Sequence, residues 1–336
     1  MANRKGLYVV AFIFLQFFCS AQDIHYSQFF NSPINVNPAQ TGVFNGDKRF
    51  MASYRDQWRS VPVPWTTFSG FYDTKIYPGK SDDNFWGLGF IFNYDRQGDS
   101  RIALSNFNIS GTYNLILNKN NVLSFGALLG YASRAFNETT LTWDSQWDGI
   151  MFDPSLPSGE NFDIHRINFL ETGAGINYRY QISERTKIDA GVGAYHLIEP
   201  DLNYDPREPT ALPRRFSFLV NSSFRVASKF DLLISGVHQI QDAYNISSAV
   251  GQIKIYVNEK RGTTTNLYLG AGYRFSQSLF PMIAVEYNDI YASFSYGIDQ
   301  SDFDIATSGR GGPELHFRYI IKSVKPLGLF KACPIF

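Results

Sequence analysis

Five histidines stand at positions 25, 165, 196, 238 and 316, and their spacing limits the chemistry the chain can attempt. There is no H-E-x-x-H pair and no other metal-ligand spacing, so a zinc hydrolase is not expected. A lone His196 or His316 reads as a hydrogen-bonding residue inside a fold rather than as a ligand. No G-x-S-x-G elbow, phosphate loop or complete calcium loop occurs, and Asp302 and Asp304 lack the rest of an oxygen cage. Gly309-Arg310-Gly311-Gly312 reads as a flexible surface connection. With no nucleophile, base and oxyanion donor to assemble, the chain is expected to be a non-enzyme without cofactor or metal.

The side chains best placed to do something are aromatic. Trp143, Asp144, Trp147, Asp148 and Phe152, with Phe162, crowd the segment Glu138–Arg166 among Gly149, Pro154, Pro157 and Gly159. A loop of that length is usually functional, and Trp and Phe anchors dominate interface energies. The segment is therefore a candidate partner-binding surface; the alternative is that its tryptophans belong to an interfacial aromatic belt. The two Trp-Asp pairs lie only four residues apart, which excludes a propeller repeat.

Composition narrows what can carry such a loop. The 336 residues hold 30 basic and 30 acidic side chains, so there is no surplus to neutralise nucleic-acid phosphates. Charged residues make up 18%, below an ordinary soluble domain, while 30 Phe and 20 Tyr exclude a disordered chain. Two cysteines cannot staple a fold.

Met1–Ala21 reads as a secretory signal: Arg4 and Lys5, an apolar Leu7–Phe18, then Cys19-Ser20-Ala21 before a cut ahead of Gln22. Bulky Gln16-Phe17-Phe18 argues against a lipid anchor at Cys19. Cys19 leaves with the signal, and the role of Cys333 stays open. No later apolar run reaches the roughly 18–20 residues of a membrane helix.

Period-2 alternation runs through the rest. Trp86, Leu88, Phe90, Phe92 and Tyr94 fall on one face, opposite Gly87, Gly89, Ile91 and Asn93. Leu267, Leu269, Ala271, Tyr273 and Phe275 repeat the pattern, as do Leu315, Phe317, Tyr319 and Ile321. Such alternation marks strands. About fourteen are expected between residues 47 and 322, each long enough for the roughly 9–11 residues of a tilted barrel strand. Links after even-numbered strands are short, as at Asn118-Lys119-Asn120, Glu184-Arg185, Ser228 and Asp289. The long links, Glu138–Arg166, Glu199–Leu212 and Asp299–Gly311, all follow odd-numbered strands. Short periplasmic turns and long extracellular loops are the outer-membrane pattern. The expected fold is an all-β, transmembrane antiparallel up-and-down β-barrel. A soluble sandwich or propeller would need shorter strands and a charged outer face.

Four segments result: a signal peptide (1–21), an irregular periplasmic N-terminal arm (22–46), the barrel (47–322) and a C-terminal tail (323–336). The arm carries His25, Tyr26, Phe29, Phe30, Val36 and Phe44, each costly to leave wet. It is expected to pack into or under the barrel mouth, against the alternative of a loose terminus. Inward Gly191, Gly193, Ser293, Ser295 and Gly297 leave room for it or for an open lumen. Lumen charges such as Asp189, Arg225, Arg274, Glu314 and Arg318 are expected to neutralise one another.

The arm and first strand also carry specific words. Tyr26, Gln28 and Phe29 in Asp23–Phe30, then Asn37, Pro38, Ala39 and Gly42, then Tyr54, Arg55, Gln57 and Trp58 before Pro64-Trp65-Thr66-Thr67, resemble the PorP/SprF family of type IX secretion system membrane proteins. The resemblance implies an outer-membrane β-barrel that helps export or anchor a secreted cell-surface protein of the gliding-adhesin type. Its implied partners are outer-membrane lipid and either a surface adhesin with a type IX C-terminal domain or a periplasmic peptidoglycan-binding component. The alternative function is an outer-membrane transport barrel for a small solute.

Overall fold

The computed structural model describes residues 23–61, 64–78, 84–98, 101–137, 141–159, 164–204, 210–260 and 262–322. The signal segment Met1–Ala21, Phe162, and the tail 323–336 with Cys333 lie outside the described residues.

Fourteen strands follow one another around a closed wall. They are β1 (Lys48–Gln57), β2 (Trp65–Ile76), β3 (Phe85–Gln97), β4 (Ile102–Asn118), β5 (Asn121–Ala135), β6 (Arg166–Gln181) and β7 (Lys187–Tyr195). The second half comprises β8 (Arg215–Ala227), β9 (Phe230–Gln241), β10 (Tyr244–Lys260), β11 (Thr263–Arg274), β12 (Ser278–Tyr287), β13 (Ile290–Asp299) and β14 (Arg310–Ile321). Every neighbour pairs antiparallel, and β14 closes on β1 in register from Lys48↔Ile321 to Arg55↔Glu314. Closure leaves no strand edge, which is what a sheet in lipid requires, since an unpaired edge would find no water there.

The faces sort as the alternation predicts. In β3, Gly87, Gly89, Ile91 and Asn93 turn inward while Trp86 and Phe92 stand exposed on the outside. Leu129, Ile109, Ile176, Val220, Ile234, Leu269, Ile283 and Leu315 form an exposed apolar band. Aromatics flank the band on both sides. Near the short turns stand Trp86, Tyr178, Tyr180, Tyr287 and Tyr319; near the long loops stand Tyr131, Phe216, Tyr273 and Tyr296. This is the lipid-facing surface of an outer-membrane barrel.

The core lies inside, because the outer face has lipid for a solvent. Side chains alone fill an eight-stranded interior; fourteen strands leave space. Residues 24–46 occupy it. They make three short helical pieces (Phe29–Asn31, Pro33–Val36, Pro38–Gln40) and are buried almost throughout. The arm joins β1 at the short-turn end and runs up the lumen to Asp23, which sits beside His196 and Arg215 at the long-loop ends of β7 and β8. The sequence expects it to pack into or under the barrel mouth; the structure seats it inside and carries it on to the long-loop end, because its apolar side chains find inward-facing partners all along. Ile34 packs with Met51, Phe71, Ile91, Leu128 and Tyr195. Phe29 and Val36 pack with Leu219, Val237, Val250, Phe280 and Met282.

The band can be tested directly. Leu269→Arg, in mid-strand and facing out, is expected to destabilise the barrel by about 2–4 kcal/mol, and Thr265→Arg near the strand end by about 1 or less. Urea unfolding in vesicles measures both; equal costs would contradict this placement of the lipid band.

Candidate functional site

Most of the arm is not in regular structure, so its buried backbone groups need partners from the wall. At the top, the Asp23 carboxylate pairs with His196 Nε2 at 2.9 Å and Arg215 Nη1 at 2.9 Å. His196 Nδ1 lies 2.9 Å from Glu171. Arg215 also donates to the carbonyls of Ile24 (3.2 Å) and Asn35 (2.8 Å). Burial works against both charges, but Arg215 and His196 hold the Asp23 carboxyl far below the usual carboxylate range. Burial likewise opposes the His196 cation; the two carboxylates overcome it and push the imidazole up to about 9.

The middle is organised by Glu314. Its carboxylate accepts the backbone N–H of Ser27 (2.8 Å) and Gln28 (2.7 Å), and lies 2.7 Å from His316 Nε2. Arg55 stands 3.7 Å from the same carboxylate and donates to the His25 carbonyl at 2.7 Å. Gln28 donates to Ser295 and accepts from Ser293, and Tyr26 donates to Ser69. The inward serines are therefore seats for the arm.

Lower down, Asn37 caps its own helical piece through Ala39 N–H and donates to the Ile176 carbonyl. It rests on bare backbone: a Cβ at Gly191 would lie 2.5 Å from the Asn37 amide, and one at Gly193 would lie 2.5 Å from the Val36 carbonyl. Pro38 and Ala39 approach Gly126 in the same way. Gly42, at φ +74°, donates to Asp73, which also holds Arg49 at 2.7 Å. Phe44 lies under Arg49 and Lys75, and Lys75 donates to its carbonyl.

The family-like residues thus share one place and one task. Tyr26, Gln28, Phe29, Asn37, Pro38, Ala39 and Gly42 fill the lumen, and Arg55 binds them from β1. Tyr54 faces outward, its hydroxyl 3.4 Å from Asp56. Gln57 ends β1. Trp58, in left-handed backbone at φ +55°, donates to Asp299 at 2.9 Å and packs edge-on against Trp65 and Phe303. It caps the long-loop end of the first strand.

Two surfaces remain. On the long-loop side, residues 147–152 form a small hairpin bridged between Trp147 and Phe152. The Asp148 carboxylate accepts the N–H of Ile150 and of Met151, both at 2.7 Å, and Gly149 takes φ +99°. Buried Gln146 ties the base by accepting from Trp143 N–H. Asp144 and Asp148 are exposed, Trp143 half-buried. The tip is apolar: Trp147 is 57% exposed, Ile150 84%, Met151 60% and Phe152 42%. Ile150 and Met151 went unnoticed in the sequence, although Asp148-Gly149 between two aromatics is a hairpin signal. On the short-turn side, a cavity of about 720 Å³ remains between the arm and the wall from β6 to β14. Of the lumen charges expected to balance, Asp189 pairs with Arg179 (2.6 Å), Arg318 with Glu286 (3.2 Å), and Glu314 lies 3.7 Å from Arg55. Arg274 donates to Ser27, and Arg225 is exposed near the strand end.

Two outcomes follow. His196 titrates higher in the fold than its ordinary 6.5, so its contribution is complete below pH 6.5 and is lost as pH rises through about 9. Asp23 is depressed, so its share holds above about 3.8 and fails only in strong acid. The stability difference between the purified wild type and His196→Gln, read by urea unfolding, is expected to shrink by on the order of 3 kcal/mol between pH 6.5 and 9, a comparison that isolates His196 from other groups titrating in that range. Separately, Gly191→Val should unseat Asn37, exposing the arm to protease and raising bilayer conductance while heat-modifiable gel mobility persists. A variant arm as protected as the wild type would refute that seat.

No curated protein matches the chain. Among solved structures, a FadL homologue from Pseudomonas aeruginosa aligns at 12% identity over 84% of this chain and 92% of its own, with a TM-score of 0.51. The Pseudomonas putida toluene transporter TodX aligns at 12% identity over 86% and 92%, with a TM-score of 0.50. At that identity the likeness is one of fold: an outer-membrane barrel. The family model for type IX secretion system membrane protein PorP/SprF matches residues 18–319, nearly the whole of the chain and all of the described arm and wall but the last residues of β14 and Lys322. The chain belongs to the PorP/SprF family of type IX secretion system membrane proteins.

Proposed function

We propose that this barrel binds a secreted cell-surface protein of the gliding-adhesin type at its extracellular face and helps to export it or hold it there. The observation that carries the reading is the hairpin Trp147–Phe152. Four apolar side chains stand in water on a tip that Asp148 and Gln146 hold in shape. Burying them against a partner would return roughly 1.5–3 kcal/mol for each fully covered side chain, and a preformed tip loses little entropy on docking. Trp143, Asp144 and Asp148 frame the same surface, so the aromatic segment acts as one patch.

The filled lumen supports a binding barrel over a conduit. Gln28, Asn31 and Ile34 close the middle of the barrel through contacts with opposite walls. A small-solute transporter is the alternative, and it would require the arm to leave a seat held by Glu314, Arg215 and Asp73. A periplasmic peptidoglycan-binding partner, in place of an adhesin, would make the chain part of the export apparatus.

Affinity purification from crosslinked, detergent-solubilised outer membranes, read by mass spectrometry, tests the reading. A large secreted protein with a type IX C-terminal domain is expected to accompany the wild type. The variant Trp147→Ala/Ile150→Ser/Met151→Ser should recover at least about tenfold less of it, the equivalent of 1.4 kcal/mol, with gel mobility unchanged. Undiminished recovery removes the hairpin from the interface, and steady open conductance of the purified wild type would favour transport.

A further inference from the structure

The cavity at the periplasmic end is charged, and its charges are unevenly matched. Seven cations and six carboxylates line it, close to balance by number. Partner by partner the balance fails. Arg179 is held by both oxygens of Asp189 (2.6 and 3.1 Å), and Arg185 by those of Asp231 (2.6 and 3.1 Å). Arg49 is taken by Asp73. Asp289 is matched by Lys322 at the rim, while Glu184 and Glu259 are exposed beside the turns, where water solvates them. On the inner wall, Glu286 alone serves two cations, Lys254 at 2.9 Å and Arg318 at 3.2 Å. The side chain of Lys187, the first residue of β7, makes neither a hydrogen bond nor an ion pair with the described residues.

We propose that this vestibule is a binding site for an anionic group, a carboxylate or phosphate, entering from the periplasm. Its cations are Lys187 and the Lys254–Arg318 pair. These groups are already ordered: Arg318 lies over the Tyr291 ring at 4.4 Å, and Lys254 lies over Tyr256 at 4.9 Å and Tyr268 at 5.2 Å. The hydroxyls of Tyr268 and Tyr256 are committed, donating to Glu286 and Asp231, so neither competes with the cations for a ligand. A surplus of positive charge in a confined, partly dry space is under-solvated, and an incoming anion relieves that where an apolar solute would worsen it. Because Arg49, Arg179 and Arg185 are spent on bidentate pairs, the surplus acts chiefly as point charge, which a carboxylate and a phosphate both satisfy.

Fluorescence anisotropy with the full-length protein in detergent tests the site, using a fluorescein-labelled hexaglutamate peptide, with inorganic phosphate as competitor. The peptide is expected to bind and to weaken as salt rises. Lys187→Gln should weaken it by about tenfold or more, while Lys187→Arg should retain it. Lys260→Gln, exposed on the same side of the barrel, should leave binding unchanged, and heat-modifiable mobility confirms that each variant is folded. Displacement by phosphate at comparable concentration would identify a free small anion as ligand. Displacement only by unlabelled peptide would identify an anionic group carried on a chain. Absence of binding, or binding indifferent to both Lys187→Gln and Lys254→Gln, overturns the proposal and leaves the extracellular hairpin reading untouched.

Discussion

A closed wall of fourteen strands encloses more space than its inward side chains fill, and everything inside this barrel follows from what fills the rest. The filler is twenty-odd residues of non-repeating backbone with four-residue helical pieces at most, so few of its N–H and C=O groups satisfy one another. The wall must supply the partners. Glu314 takes the N–H of Ser27 and Gln28, and Asp73 takes that of Gly42. Arg55, Arg215 and Lys75 donate to carbonyls of His25, Ile24, Asn35 and Phe44. These charged residues complete the arm's backbone.

Charge in such a place is expensive unless matched, because desolvation costs several kcal/mol per ion and removing one partner strands the other. The pairs Arg49–Asp73, Arg179–Asp189 and Arg185–Asp231 meet that demand, each with Arg forks on a carboxylate. The apolar contacts around Ile34 and Phe29 contribute burial without that cost. In the vestibule the matching is incomplete: among the described residues the Lys187 side chain has no partner, and Glu286 serves two cations.

The wall was legible in the sequence because a barrel strand has two solvents, lipid and lumen, and its side chains alternate between them. Trp86, Leu88, Phe90 and Phe92 against Gly87, Gly89 and Ile91 state both β3 and its facing, and each expected strand has its counterpart among the fourteen. The parity of long and short links likewise sorts them to opposite ends of the barrel, as the strand order has it. The arm's course was not legible, because a segment without period carries no facing and its contacts are long-range. Asn37 meets Ile176, and Gln28 meets Ser295. Gly191 and Ser293 are small in an open lumen and equally small beneath a seated arm; only the Asn37 amide lying on Gly191 and the Gln28 amide bonded to Ser293 distinguish the two. The same holds for Lys187, whose lack of a partner is a statement about space.

The arm fills the middle of the barrel, and the two ends it leaves differ in chemistry. Outside stands a tip of Trp147, Ile150, Met151 and Phe152, suited to exclude water against another surface. Inside opens a chamber of fixed charges, suited to a ligand that carries charge. The arm touches the top of the lumen through Asp23 and lines the chamber below through Asn31, Gln40 and Phe44. It lies in short pieces bonded to opposite walls, with no continuous helix or strand that could slide as a unit. Displacing its lower end therefore strains the bonds of Asn37 and Glu314 before it reaches Asp23, each buried and each costly to leave unmade. A strap held in this way is stiff to small pulls and gives way only when several partners are replaced together. That resistance keeps the middle of the lumen occupied by the arm.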